Sequence, residues 1–257
     1  MKNDTKLSER MAQFNLGEPQ SKRDYNRRLF RVVATRYDLI TRLLSFGQDR
    51  YWKEVLLRHV SRGVHREILD VACGTGDLTI ALAQRLPEAR VTGMDLTPEM
   101  IHRARRRAAR AAPAAPAGGT AGAIQFDLGD MSALTYRDTR FDLVTAGYAL
   151  RNAPELTAAI AELHRVLRPG GVLGVLDFSR SDLSAISAAQ VGLLRFWGRL
   201  WGRFLHGNPE AYGYIAESLR RFPARSQFLD ALHRGGFRSI RERRFFFGII
   251  AVVIARK

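Results

Sequence analysis

The hydrophobic positions of this chain follow two different periods, which divide it into two regions. From about residue 21 to 60, apolar residues recur at steps of three and four, as they do on one face of a helix. Farther along, short apolar runs alternate with helical segments, which is the pattern of a parallel sheet covered on both faces. We therefore predict an α/β protein with an N-terminal helical lobe.

The predicted helical lobe covers residues 21–62 and is broken in its middle. The break falls in SFGQDRYWK, where Ser45 and Gly47 indicate a turn and Asp49 is predicted to cap the next helix. Residues 1–20 are polar and are expected to form a flexible tail.

The second region, residues 63–257, is predicted to be one domain. Its parallel strands are predicted in EILDVA, ARVTGMDL, AIQFDLG, FDLVTAGYA and GVLGVLDF. The helices predicted between them are LTIALAQRL, PEMIHRARRRAARAA and PELTAAIAELHRVL, the last of which is expected to stop at RPGG. Segment 112–123 is rich in Pro, Gly and Ala, and we expect a flexible connection there.

A helical insertion is predicted at about 183–222. Its first part is amphipathic, with aromatic residues and with Arg195, Arg199 and Arg203 at intervals of four. Such a helix can pack as core, close over an apolar substrate or lie on a membrane surface. After the insertion, RSIRERRFFF and GIIAVVIARK are separated only by Gly248 and are expected to pair antiparallel at the sheet edge.

Composition and charge narrow the class of protein. A chain of 257 residues with 46% hydrophobic content can bury one full-sized core. One cysteine and no apolar leader favour a cytoplasmic protein, and the apolar runs are too short for a helix that spans a bilayer. The net charge of +16 favours anionic partners, but HRARRRAAR is interpreted as a solvated helix face, so nucleic acid is not expected.

The sequence ILDVACGTGDLT runs from a strand through a glycine-rich turn into a helix. Gly74 and Gly76 allow backbone to approach a ligand closely at the carboxyl end of the first strand. A dinucleotide fingerprint would have glycine or alanine where Thr79 stands, and no P-loop lysine is present. A pyrophosphate ligand is therefore not expected.

Three successive strands end in carboxylates, Asp70, Asp95 and Asp130. Asp95 is suited to accept both ribose hydroxyls of an adenosine, and Asp130 with Met131 to bind the adenine amino group and ring. Three carboxylates repel phosphate and attract a cation. We therefore predict that this edge of the sheet binds S-adenosylmethionine.

Longer motifs resemble one protein family. DVACGTGDLT, MDLTPEM, FDLVTAGYALRN, HRVLRPGG and VLDFS are similar to the UbiE-type C-methyltransferases of ubiquinone and menaquinone biosynthesis, as are RYDLITRLLSFGQDRYWK and YGYIAESLRRFP. The resemblance covers nearly the whole chain from about Tyr25. It implies a Rossmann-like class I methyltransferase fold, with a seven-stranded, mostly parallel sheet and helices on both faces.

The resemblance also implies a site and a reaction. The cofactor residues expected from it and from the strand ends are Asp70, Gly74, Thr75, Gly76, Asp95, Leu96, Asp130, Met131 and Gly147. The implied reaction is methyl transfer to a ring carbon of a polyprenylated benzoquinol or naphthoquinol, under a cover formed by the lobe and the insertion. Departures from the family at Thr41, Gly147 and Ala149 keep open another apolar phenol or a polyketide, methylated at carbon or oxygen.

Three residues are candidates for catalysis. Methylation at carbon is easiest when a phenolic proton leaves, and the permanently charged Arg151 is predicted to stabilise the developing phenolate. Asn152 would orient a water or the ring oxygen, or would instead cap the helix that begins near Pro154. Tyr37 is a candidate for the quinol oxygens, or is a core residue of its helix.

Other functions have less support in the sequence. No cluster of Cys, His and carboxylates has metal-ligand spacing. An RNA or DNA methyltransferase typically carries Asn or Asp before Pro-Pro, and this chain does not. A non-enzymatic module that binds S-adenosylmethionine, a homodimer and a peripheral contact with the inner face of the membrane stay open.

Overall fold

A computed structural model describes residues 18–33, 41–43, 45–111, 123–206 and 213–257 of the chain. Tyr37, nearly all of the predicted tail and nearly all of the Pro-, Gly- and Ala-rich connection lie outside these ranges. The predictions made for them are therefore not addressed by the structure.

The described chain contains a seven-stranded sheet with the order β3-β2-β1-β4-β5-β7-β6. The strands are β1 Glu67–Val71, β2 Arg90–Asp95, β3 Ile124–Leu128, β4 Phe141–Gly147, β5 Leu167–Phe178, β6 Arg238–Phe245 and β7 Ile250–Arg256. The first five are parallel to one another, and β7 pairs antiparallel with both β5 and β6. The expected antiparallel pair at the sheet edge is confirmed. The strand order reverses between β1 and β4, where such sheets form a ligand crevice.

The described helices lie on both faces of the sheet or beyond its carboxyl edge. They are α1 Pro19–Val33, α2 Asp49–Val60, α3 Asp77–Arg85, α4 Pro98–Ala111, α5 Leu156–Val166, α6 Ser184–His206, α7 Gly213–Arg221 and α8 Arg225–Arg234. Short 3₁₀ turns follow β4 at Leu150–Asn152 and β6 at Phe246–Gly248. The alternation of strands and helices matches the order read from the hydrophobic pattern.

The predicted end of a helix at RPGG is confirmed, because α5 ends at Val166; the segment itself lies in β5, where the Gly170 N–H donates to Lys257 O at 3.0 Å. Two local predictions differ from the structure. The last two strands are joined by a full 3₁₀ turn and not by Gly248 alone. Asp49 does not cap α2; its own N–H is capped by Ser45 Oγ at 3.2 Å, which leaves the carboxylate of Asp49 available elsewhere.

Two large clusters of buried side chains in the described residues lie on opposite faces of the sheet, and a smaller one packs α4 against β3. One face packs against α5 and α8, and the other packs against α2 and α3. At the centre of β5, a Cβ added to Gly174 would lie 2.5 Å from Val60 Cγ1, so this glycine lets α2 lie close against the strands. The close packing brings the first turn of α2 to the carboxyl edge of β4.

Candidate active site

A cleft opens at the carboxyl ends of the strands, with an empty volume of about 640 Å³ including its mouth. Its described lining consists of Asn26, Phe30, Ala72, Gly74, Met94, Asp95, Leu96, Thr97, Met100, Gly129, Asp130, Met131, Gly147, Tyr148, Ala149, Asn152 and Pro154. Loops after four parallel strands therefore meet the N-terminal helix α1 around one space.

The turn after β1 uses positive backbone φ angles to curl around the cleft. Ala72, Gly74 and Gly76 have φ of 49°, 56° and 84°. Gly74 lines the cleft, whereas a Cβ added to Gly76 would lie 3.1 Å from Ala104 Cβ on α4. Thr75 is buried and accepts a bond from Arg107 Nη1 at 3.3 Å. Of the predicted turn residues, Gly74 thus faces the ligand space and the other two are outside the described cleft lining.

Asp95 joins the end of β2 to this turn. Its Oδ2 accepts the Gly74 N–H at 2.9 Å and its Oδ1 accepts the Thr97 N–H at 2.8 Å. Burial raises the pKa of Asp95, while the bonds from Thr97 and Gly74 oppose that rise. A carboxylate has more acceptor sites than these two bonds use, so Asp95 can also receive ribose hydroxyls.

Asp130 and Met131 line the cleft beyond β3, as the sequence predicts for the adenine end. Asp130 Oδ1 accepts the Ser132 N–H at 2.8 Å, and Oδ2 is paired with Arg23 Nε of α1 at 2.5 Å. An amino group of adenine would therefore share this carboxylate with Arg23. The ion pair ties the helical lobe directly to the cofactor end of the cleft.

Asp70 lies behind the cleft and is not among its described lining residues. Its two oxygens accept the hydroxyls of Thr79 and Thr145, each at 2.7 Å, and the residue is almost fully buried. Burial raises the pKa of Asp70 to about 6, against the effect of those two hydrogen bonds. Asp70 therefore joins β1 to β4 and α3 beneath the glycine turn, and its contact with the cofactor stays a prediction.

Gly147, at the end of β4, lines the cleft as predicted. A Cβ added here would lie 2.6 Å from Leu78 Cδ1 on α3. The absence of a side chain keeps the strand end close to the helix that follows the glycine turn, and so narrows the cleft at this point.

Arg151 is buried beside the cleft instead of lining it. Its Nε lies 3.3 Å from Asp177 Oδ1, and its Nη1 donates to Ser218 Oγ at 2.8 Å. The guanidinium carbon also lies 4.9 Å from the ring centre of Phe178 and 5.5 Å from that of Tyr214. The sequence analysis predicted that this charge lies next to the reacting ring. In the structure, the guanidinium instead contacts side chains of β5 and α7.

Asn152 lines the cleft but does not cap a helix. The helix α5 begins at Leu156, after Glu155, so the alternative interpretation of Asn152 as its cap is wrong. Its Nδ2 donates to the carbonyl of Tyr148 at 3.2 Å, and its Oδ1 lies 3.5 Å from Arg151 Nη1. Any effect of the Arg151 charge on the cleft therefore passes most directly through Asn152.

The sequence interpretation missed the contribution of α1. Lys22 and Asn26, one turn apart, donate to the carbonyls of Ala153 at 2.5 Å and Asn152 at 2.7 Å. Burial lowers the pKa of Lys22 to about 8, helped by nearby Arg221 and Arg151. The only signal in the sequence was the presence of polar residues on the buried face of an amphipathic helix.

Tyr148 was also missed, although it lies in the same GYALRN segment as Arg151 and Asn152. It lines the cleft, and its hydroxyl donates to Asp49 Oδ1 at 2.9 Å. A tyrosine after an apolar strand looks like a core residue in sequence, because its partner is 99 positions away.

Comparison with known proteins identifies the fold and the family together. Residues 19–257 match the ubiE/COQ5 methyltransferase family. The chain belongs to this family. It is 34% identical to the demethylmenaquinone methyltransferase of Deinococcus radiodurans, over 94% of this chain and 96% of that protein. It is 33% identical to the ubiquinone/menaquinone biosynthesis C-methyltransferase UbiE of Dinoroseobacter shibae, over 87% of each.

A solved structure shows the same fold at lower sequence identity. The SAM-dependent methyltransferase from Aquifex aeolicus superposes with a TM-score of 0.53, at 15% identity, over 79% of this chain and 88% of that one. The Rossmann-like class I fold is thus confirmed. The protein is an S-adenosylmethionine-dependent methyltransferase.

The cleft of this methyltransferase fits the cofactor. Carboxylates at Asp95 and Asp130 favour a cationic ligand and supply acceptors for hydroxyl and amino groups. The apolar side chains of Leu96, Met100 and Met131 provide surfaces for an aromatic ring. S-adenosylmethionine, once bound, supplies an electrophilic methyl group and a neutral leaving group.

Replacing Asp95 tests the ribose contact. Asp95→Ala should weaken S-adenosylmethionine binding by about 1 to 3 kcal/mol, the range for loss of hydrogen bonds to a charged group. Isothermal calorimetry would measure this change. Asp142→Ala is a matched control, because Asp142 also accepts two backbone N–H groups, from Arg66 and Glu67, at the opposite edge of the sheet.

The control should keep its cofactor affinity even if its melting temperature falls. Equal affinity of the Asp95 variant and the natural protein for the cofactor would show that the carboxylate does not bind the ribose.

Replacing Arg151 tests its place in the buried ion pair. Arg151→Ala should lower the free energy of unfolding by about 3 to 5 kcal/mol, because Asp177 would keep a buried and uncompensated charge. Urea unfolding of Arg151→Ala, Asp177→Ala and the double variant would give the coupling energy between the two side chains. A coupling near zero, with a large loss of turnover in a stable single variant, would instead favour the catalytic role predicted from the sequence.

Proposed function

We propose that this methyltransferase transfers the methyl group of S-adenosylmethionine to a ring carbon of a polyprenylated quinol, either demethylmenaquinol or a ubiquinol precursor. The observation that carries the proposal is the match over nearly the whole chain to relatives named for that chemistry, at 33% and 34% identity. Aromatic side chains at the cleft, Phe30 and Tyr148, suit an apolar ring.

The lobe at 21–62 and the insertion at 183–222 are proposed to form the cover of the quinol. Within the lobe, α1 supplies Asn26 and Phe30 to the cleft, and α2 reaches the end of β4 through Asp49. From the insertion, α7 contacts α1 through Tyr214, whose ring centre is 6.5 Å from that of Tyr25. These contacts support a shared cover over one edge of the sheet.

Asn152 is proposed to orient the quinol oxygen, since its amide lines the cleft. Arg151 is proposed to act through Asn152, its neighbour at 3.5 Å, and to add positive charge near a developing phenolate. Tyr37 stays a prediction for the same oxygens.

The substrate is tested by offering quinols that differ in ring and tail. The purified protein should release S-adenosylhomocysteine with a short-chain demethylmenaquinol or a demethoxyubiquinol analogue, and mass spectrometry with NMR should locate the new methyl group on ring carbon. A simple phenol without a prenyl tail and a transfer RNA serve as comparison substrates. Methyl transfer to oxygen, or turnover only with the phenol or the RNA, would overturn the proposal.

We also propose that an exposed aromatic ridge binds anionic membrane, where a polyprenylated quinol partitions. None of the described helices is long and apolar enough to cross a bilayer. The ridge consists of Phe46, Trp197, Trp201, Phe204, Phe246 and Phe247, whose ring centres follow one another at 4.5 to 6.5 Å. Phe204 and Phe247 are 74% and 92% exposed, and Trp197, Trp201 and Phe246 are half-buried.

Charge favours a lipid surface over other occupants of this ridge. Arg195, Arg199 and Arg203 recur at intervals of four along α6 and are exposed. Aromatic side chains next to arginines are the pattern of helices that lie in the plane of an anionic bilayer. Two copies of such a cationic face would repel each other, so the homodimer stays a prediction with no support from this surface.

Vesicle cosedimentation tests the ridge. The natural protein should bind phosphatidylglycerol vesicles more tightly than phosphatidylcholine vesicles, and less tightly as salt rises. Phe204→Ser, at an exposed member of the ridge, should reduce binding about tenfold or more, the cost of losing one aromatic side chain that is buried in the bilayer. Val64→Ser, at a residue 83% exposed just before β1, is the control and should bind as the natural protein does.

Equal binding by the Phe204 and Val64 variants would contradict a lipid-binding ridge. Concentration-dependent dimerisation that Phe204→Ser abolishes, without vesicle binding, would identify a second copy of the chain as the occupant instead.

A further inference from the structure

The backbone of Tyr148 is held in an unusual conformation at the cleft. Its φ is 56°, in the left-handed region that bulky residues rarely adopt, and its N–H bonds to Leu176 O at 2.6 Å. Non-glycine residues in this region persist where surrounding contacts fix them, and they cluster at functional sites. Here the conformation places a phenol at the end of β4 on the wall of the cleft.

The phenol of Tyr148 is hydrogen-bonded to a carboxylate of the helical lobe, that of Asp49. The Tyr148 hydroxyl donates to Asp49 Oδ1 at 2.9 Å, and Asp49 Oδ2 lies 2.7 Å from Lys53 Nζ. Lys53 is also 3.0 Å from Asp77 Oδ2, so two carboxylates share its charge. Burial lowers the pKa of Lys53, but Asp77 and Asp49 raise it by more, which keeps the ammonium charged.

This arrangement gives Asp49 a role other than packing. Only 8% of the residue is exposed, and the ammonium of Lys53 compensates its charge. Its other oxygen, Oδ1, accepts the hydroxyl of Tyr148, a residue that lines the cleft. A hydroxyl backed by a buried carboxylate can accept a proton on its oxygen while passing its own proton on.

We propose that Tyr148 and Asp49 form a relay that removes the hydroxyl proton of the quinol during methyl transfer. The inference rests on the proposed function, because it needs a phenolic substrate. Tyr148 would contact the substrate as a catalytic residue, whereas Asp49 and Lys53 would act through it as positioning and proton-accepting groups.

The step balances with the groups present. The ring carbon forms a bond to the methyl carbon, the C–S bond breaks, and its electron pair stays on sulfur. The quinol O–H bond breaks as that oxygen becomes a carbonyl; its proton moves to Tyr148 Oη, and the tyrosine proton moves to Asp49 Oδ1. The methylated ring carbon then loses its hydrogen as a proton, and the carbonyl oxygen is protonated again to a hydroxyl. Over the whole reaction one proton is therefore released, and it leaves through Asp49 to solvent.

The carboxylate is strong enough as a base for this late transfer. An ordinary phenol is much less acidic than a carboxylic acid, so Asp49 would not ionise the quinol before reaction. As the new C–C bond forms, however, the ring takes on positive charge and the hydroxyl becomes a protonated carbonyl, which is far more acidic than an ordinary carboxylic acid. The relay would therefore act in the transition state, where it raises kcat.

The relay is tested first by removing the hydroxyl. Tyr148→Phe should lower kcat by about a hundredfold or more, the usual contribution of a general base. The KM for quinol and the calorimetric affinity for S-adenosylmethionine should each change by less than about threefold. Tyr51→Phe is the matched control, because Tyr51 lies on the same helix as Asp49, is 47% exposed, and packs against Phe245; it should keep full turnover.

The carboxylate is tested by a pair of substitutions. Asp49→Asn should lower kcat in the same direction as Tyr148→Phe, and Asp49→Glu should recover part of it. Circular dichroism and the melting temperature would show whether each variant is folded. Unchanged kcat in folded Tyr148→Phe would overturn the relay.

A last comparison separates proton removal from a purely structural role. A quinol with an electron-withdrawing ring substituent has a more acidic hydroxyl and needs less help from a base. The ratio of natural to Tyr148→Phe turnover should therefore shrink with this substrate, and a constant ratio would overturn the relay. A natural protein that methylates no quinol at all would overturn the proposed function itself, which is a distinguishable result.

Discussion

The buried pair of Arg151 and Asp177 fixes the part of the molecule on which the cleft depends. Asp177, at the end of β5, receives both the guanidinium and the backbone N–H of Arg151, the latter at 3.2 Å. Burial raises the pKa of Asp177, while the Arg151 charge opposes the rise. A buried pair of opposite charges keeps its geometry, because separating the pair would leave each charge uncompensated in the protein interior. The turn after β4 is thereby fastened to β5.

The same turn is fastened from the other side by α1. Its carbonyls accept the amide of Asn26 and the ammonium of Lys22, and α1 reaches across the cleft to Asp130 through Arg23. One helix therefore joins the part of the cleft lining that follows β3 to the part that follows β4.

The three carboxylates that look equivalent in the sequence have separate tasks in the fold. Asp70 accepts two threonine hydroxyls and joins β1 to β4 and α3 from behind the cleft. Asp95 holds the glycine turn with backbone bonds and still faces the cleft, and Asp130 links the cleft to the lobe. A fourth acid, Asp49, was expected to cap a helix and instead meets Tyr148. Acidic residues at strand ends thus predict a site for a cationic ligand. The role of each acid depends on the groups that its oxygens contact.

The sequence by itself determined the alternation of strands and helices, the glycine turn, the cofactor and the family, because the motifs that indicate them are each made of residues close in the chain. Only the tertiary structure decided that Arg151 lies behind the cleft, that Asn152 does not cap α5, and that Tyr148 meets Asp49. These results depend on contacts between positions tens of residues apart, such as Ser218 with Arg151. Periodicity shows which residues turn inward, but it does not show which partner each polar group finds there.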